Sequence, residues 1–138
     1  MKYLLVLFLS LLPCASLTHA QAETSRRLTV AQARALVLAA LTPQQRRLPK
    51  LGAESDDAPR SPSTFLYFTV VWEGTPTGSV VVGNYAVDPR TGDVFSSTIA
   101  CHEEKNQQLR TLQARARATL HLAATDYRRL KTKGPLCE

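Results

Sequence analysis

The stretch from Thr64 to Cys101 constrains this chain most, because strands and the turns between them are both written into it. Thr64-Phe65-Leu66-Tyr67-Phe68-Thr69-Val70-Val71-Trp72 is a run of β-branched and aromatic residues, which fit a pleated, half-buried surface. Glu73 to Gly78 then supplies two glycines and a proline, and Ser79 to Val87 returns as a second strand. Asp88-Pro89-Arg90-Thr91-Gly92 is a turn, with proline presetting φ early and glycine accepting positive φ late. Val94 to Cys101 closes a three-stranded antiparallel meander. Along the first strand Phe65, Tyr67, Thr69 and Val71 alternate with Leu66, Phe68, Val70 and Trp72, and both sets are apolar. Either both faces of the sheet are covered, or one presents aromatics to a partner. Gly83 marks a bulge or a close approach by another segment.

Helices flank the meander. Thr29 with Gln32 three positions on has the form of a capping box. Val30, Ala33, Val37 and Leu41, with Ala40 beside them, then share one face over about three turns. Leu48 to Ser63 carries prolines, a glycine and the acidic residues Glu54, Asp56 and Asp57, and is expected to be an exposed loop. A second helix is expected from Glu103 to Leu122, with a continuation to Leu130. Its acids come first and its cations later, as the helix dipole favours. Leu109, Leu112, Ala116, Leu120 and Ala123 make its buried stripe, and Arg110, Gln113, Arg117 and His121 its polar face. The fold class expected is α+β: an N-terminal helix, a three- to four-stranded antiparallel meander, and a C-terminal helix tethered by a disulfide.

The first residues are a separate matter. Lys2 precedes an apolar run from Tyr3 to Leu12, and both Thr18-His19-Ala20 and, better, Ala20-Gln21-Ala22 fit a signal-peptidase site. The run is too short to span a bilayer, so residues 1–22 are expected to be a cleaved secretory signal and 23–138 a single domain. Leu11-Leu12-Pro13-Cys14 puts proline where a lipoprotein signal needs a small residue, which argues against an anchor at Cys14. The exported part keeps Cys101 and Cys137, and an even count outside the cytoplasm favours a disulfide between them, worth about 3–4 kcal/mol. The expected location is the periplasm.

The formal net charge is +6. From Glu103 to Glu138 eight basic residues face four acidic ones, so most of the excess sits in the last quarter of the chain. Catalytic chemistry is poorly supplied. Cys101 and His102 are neighbours in a strand and point to opposite faces, so they make no thiolate–imidazole pair. Cys101, His102, His121 and Cys137 lack a metal-ligand spacing, no glycine-rich phosphate loop is present, and nothing calls for a cofactor. The aromatics lie in the sheet and not among the cations, unlike a nucleic-acid surface. Asp88 and Asp93 flank a turn, where aspartate commonly bonds its own backbone.

Tyr85-Ala86-Val87-Asp88-Pro89-Arg90-Thr91-Gly92-Asp93-Val94, following an N-terminal helix, resembles the PepSY-type module of secreted bacterial proteins. Val87, Asp88, Thr91, Gly92 and Val94 carry the likeness, which spans Thr29 to Ser97. The C-terminal helix, the disulfide and the longer acidic loop depart from it. Similar arrangements occur in cystatin-like and NTF2-like folds, including small immunity proteins that neutralise secreted toxins. The resemblance implies a non-catalytic module that binds or inhibits an enzyme or toxin outside the cytoplasm. On that reading the partner-binding residues are Trp72, Glu73, Tyr85, Asp88, Arg90, Asp93, Arg110 and Arg117; the plain alternative for Trp72 and Tyr85 is core packing. The alternative function is an envelope-associated structural protein whose basic C-terminal helix rests on anionic lipid or cell-wall polymer.

Overall fold

A computed structural model describes residues 27–56, 64–74, 80–96, 102–132 and 134–135. The expected signal segment, Cys14, the tip of the hairpin after Gly74, and both Cys101 and Cys137 lie outside the described residues.

Helix α1 (Val30–Ala40) starts where its capping box sets it. The Gln32 N–H donates to Thr29 Oγ1 at 3.2 Å, and the Thr29 N–H donates to Gln32 Oε1 at 2.9 Å. Two donors with no intrahelical partner are thereby satisfied. Ala33, Leu36, Val37 and Ala40 are buried at helical spacing. Val30, expected on that stripe, is 42% exposed, because the stripe is centred on Leu36 and Ala33 instead. A short 3-10 turn, Gln45–Arg47, follows.

The expected loop after it is a strand over part of its length. β1 (Gly52–Ser55) pairs antiparallel with β2 (Leu66–Val71), Ala53 opposite Val70. Gly-Ala-Glu-Ser has little β-propensity, and Val70, Phe68 and α1 give Ala53 a buried place that its own sequence does not announce. β3 (Val81–Val87), β4 (Val94–Ser96) and β5 (His102–Glu103) complete a five-stranded antiparallel sheet in the order β1-β2-β3-β4-β5. Val70 faces Gly83 while Val71 faces Val81, so Val82 is the extra residue of a bulge beside the glycine expected to mark one.

One sheet face carries Phe68, Val70, Tyr85, Val87 and Val94 against α1 and Leu109. Burial of a side chain such as Phe68, 2% exposed, contributes about 1.5–3 kcal/mol. The opposite face has a smaller cluster of Phe65, Ala86 and Phe95 with Tyr67 beside them. The Phe65 and Phe95 rings meet edge to face at 5.9 Å. Gly134 lies so close that a Cβ there would stand 2.8 Å from the Phe95 ring. The doubly apolar first strand therefore has helices over one face and, at one end of the other, an aromatic cluster with Gly134 against it.

The C-terminal helix is two helices, α2 (Gln107–Thr119) and α3 (Ala124–Leu130). Glu103 and Glu104, expected to open it, belong to β5 and the loop that follows, and Asn106 is the cap, its Oδ1 accepting the Leu109 N–H at 2.8 Å. α2 ends in a Schellman motif: the Leu122 N–H donates to the Arg117 carbonyl and the His121 N–H to the Ala118 carbonyl. His121 takes the left-handed conformation, φ 52°, that such an ending demands. α1 and α2 run antiparallel, and Asn106 Nδ2 donates to the Ala39 and Ala40 carbonyls at the end of α1.

Candidate functional site

The densest polar chemistry sits at the β3–β4 turn. The Gly92 N–H donates to the Asp88 carbonyl at 2.8 Å, and the Asp88 N–H to the Asp93 carbonyl at 2.9 Å. Gly92 has φ 73°, the left-handed conformation that favours glycine, while a Cβ there would meet Leu36 of α1 at an ordinary contact distance of 3.4 Å. Asp88 is fully buried. Its Oδ1 accepts the Arg90 N–H at 2.9 Å and Arg90 Nε at 3.0 Å, and its Oδ2 accepts Arg90 Nη2 at 2.8 Å. That fork holds the Arg90 guanidinium above its usual range.

Asp93, also buried, ties the turn to both C-terminal helices. Its Oδ1 accepts Arg117 Nη2 of α2 at 2.7 Å and the Tyr127 hydroxyl of α3 at 3.1 Å, and its Oδ2 accepts Thr91 Oγ1 at 3.0 Å. Arg117 Nε donates to the Thr91 carbonyl at 2.9 Å, and Gln113 Nε2 to the Gly92 carbonyl at 3.0 Å. The Arg117 guanidinium also stacks over the Tyr127 ring at 4.0 Å. Lys131 closes the cluster through Glu103 at 3.2 Å. Burial pushes the Asp93 carboxyl above the usual carboxylate range, with Arg117, Thr91 and Tyr127 pulling the other way. Each of these two carboxylates is filled by three donors. They anchor the turn.

The remaining candidates lie elsewhere. Trp72 and Glu73 follow β2, at the opposite end of β3 from Asp88. Trp72 is half-buried over Gly74, and Glu73 pairs with Lys50 at 2.5 Å on the surface. Tyr85 is buried, 7% exposed, on the helix-covered face; burial, with Glu104 adding, lifts its phenol. Arg110 is exposed on α2. The structure thus gathers Asp88, Arg90, Asp93 and Arg117 into one cluster and leaves Trp72 with Glu73, Tyr85, and Arg110 in three other places.

Gln113 and Arg117, expected on the polar face, turn inward because the turn's carbonyls and Asp93 need donors there. Thr91, named only as a turn residue, Gln113, named only on the polar face, and Tyr127, not named, were not among the expected binding residues. The signal for them was Gln113 and Arg117 at i, i+4 in line with Leu109 and Leu120, a stripe hidden by its polarity.

Two concavities lined by described residues lie along the α1–α2 pair. A cleft of about 430 Å³ lies where the end of α1 meets the start of α2, beside Arg46, Glu104 and Lys105. A groove of about 200 Å³ runs between α1 and α2. Among the described residues no three His, Cys, Asp or Glu side chains gather as a metal site would need, and no helix is long and apolar enough to cross a membrane.

No protein-family model matches the chain, so the PepSY-type resemblance rests on turn residues whose geometry is that of a tight turn. No curated protein matches it either. Among solved structures, the fold is similar to a chain of a type VI secretion system effector–immunity complex from Pseudomonas protegens, with a TM-score of 0.54 and 24% identity. The match covers 72% of this chain and 83% of that one, and what it establishes is a shared α+β fold.

Proposed function

We propose that this is an exported protein-binding module, an immunity or inhibitor protein that neutralises a secreted enzyme or toxin in the periplasm. The observation that carries the reading is the fold shared with a chain of an effector–immunity complex. The use of the buried carboxylates supports it: Asp88 and Asp93 are consumed in holding the scaffold together, as a binding module requires and an acid–base site does not. Export to the periplasm is part of the proposal and rests on Lys2, the apolar run Tyr3–Leu12 and the cleavage site near Ala22.

The experiment is retention of a partner on the oxidised domain 23–138, offered periplasmic extract and the purified products of neighbouring genes at about 0.15 M salt. A stoichiometric complex, followed by loss of the partner's toxicity or enzymatic activity when this chain is co-expressed with it, is the expected result. Retention only of lipid or cell-wall polymer, released as salt rises, replaces the reading with the envelope-associated one.

A further inference from the structure

The corner between α2 and α3, together with the β3–β4 turn, makes a pocket that the polar cluster above leaves unused. It encloses about 100 Å³, the size of one side-chain head group and well below the roughly 300 Å³ at which pockets for drug-sized ligands begin. Arg90, His121, Asp126 and Arg129 line it, with Leu122 and Leu130 beside them.

Three of these side chains have N–H groups to spare. Arg90 gives Nε and Nη2 to Asp88, which is 1% exposed, so its guanidinium is fixed from behind and Nη1 is left over. Arg129 gives Nη2 to Asp126 Oδ1 at 3.1 Å, and its Nε and Nη1 remain. His121 carries a ring N–H in either protonation state, and it is exposed. Against them stands one carboxylate in the lining, Asp126, held in an exposed i,i+3 pair of a kind that contributes little.

His121 supplies a second, independent observation. Its φ of 52° is a left-handed position where glycine is the usual residue, so a side chain is kept there at a cost in stability. Residues held in such conformations concentrate at binding and catalytic sites, and this one lines the pocket.

We propose that the pocket of Arg90, His121 and Arg129 seats a carboxylate side chain, Asp or Glu, of the partner protein. The inference rests on the protein-binding reading and names the chemistry that one part of its surface recognises. An excess of donors calls for a group that only accepts, and a carboxylate has two oxygens to share between the turn and α3. Charge-assisted hydrogen bonds are about twice as strong as neutral ones, so the carboxylate is preferred over an amide of the same shape. Arg90 needs no rearrangement to take part, because Asp88 already holds it.

Two blocked tripeptides, acetyl-Ala-Glu-Ala-amide and its Gln counterpart, test this by NMR titration read at the Arg90 Nε–H and the His121 ring. The Glu peptide shifts both signals saturably, and the Gln peptide binds at least about tenfold more weakly. His121→Gly and Arg129→Gln each weaken the Glu peptide by about three- to tenfold, with Arg90 as the reporter. His121→Gly does so while raising the melting midpoint, which a purely structural imidazole would not allow. The same two substitutions weaken the stoichiometric partner complex.

Absence of saturable shifts, equal binding of the two peptides, or indifference to both substitutions overturns the proposal. So does inorganic phosphate binding there more tightly than the Glu peptide, which would make this a phosphate pocket. A partner complex unaffected by either substitution sinks the pocket as a docking point and leaves the protein-binding reading standing. Glu-selective binding with no partner complex supports the pocket's chemistry and removes the protein-binding reading.

Discussion

Arg117 is the side chain on which the polar cluster turns. It gives Asp93 its cation, supports the Thr91 carbonyl, and lies on the Tyr127 ring. Arg117→Met leaves a buried carboxylate with two neutral donors, and should cost about 2–3 kcal/mol in urea unfolding. The loss has a pH signature. A carboxyl whose folded-state pKa lies above its unfolded value binds more protons in the folded state between the two values, so stability falls as pH climbs through that window. Removing Arg117 raises the Asp93 value further and extends the window upward. The variant should therefore lose more at about pH 8 than at about pH 5, and an equal loss at both would rule out Asp93 as the cause. His121 makes the opposite prediction. Its φ of 52° is costly for any residue with a Cβ, and its side chain is exposed, so His121→Gly should stabilise the domain by about 0.5–1 kcal/mol. A melting midpoint that stays or falls would show that the imidazole makes a contact worth more than the strain.

Asn106 links two elements. Its Oδ1 caps α2, and its Nδ2 joins the last carbonyls of α1. Asn106→Ala should cost about 2 kcal/mol, one part for the cap and one for two carbonyls left without their donor. Asn106→Ser restores only the cap and should recover about half, so full recovery would mean that the tie to α1 contributes nothing. The same elements separate local from non-local information. α1 was legible from Thr29 and Gln32 because a capping box lies within four residues. The β3–β4 turn was legible because Asp88, Pro89 and Gly92 each answer a local backbone demand. β1 was not, since Gly52–Ser55 is a strand only through its pairing with β2. The break between α2 and α3 was hidden because the residue at the left-handed position is His121 instead of the usual glycine.

At the scale of the whole molecule, the basic excess of the last quarter is divided by the fold. Arg117 and Lys131 are spent on Asp93 and Glu103, and Arg129 pairs with Asp126, while Arg110 and Arg115 face solvent. Arg110→Glu should therefore slow association with an acidic partner several-fold at low salt, with little change in dissociation rate or stability. The effect should fade as salt shortens the Debye length, and a stopped-flow rate indifferent to salt would exclude steering by this face. Charge reversal at Arg117 would confuse partner loss with unfolding. The sequence by itself determined the first helix, the meander through β2, β3 and β4, and the turn chemistry at Asp88 to Gly92, because each rests on neighbours a few residues apart. It named four members of the polar cluster, Asp88, Arg90, Asp93 and Arg117, but as an exposed binding surface. Only the tertiary structure decided that they are an anchor. A carboxylate's role depends on which donors reach it, and those of Asp93 come from Arg117 and Tyr127, brought in by packing across distances that no local pattern spans.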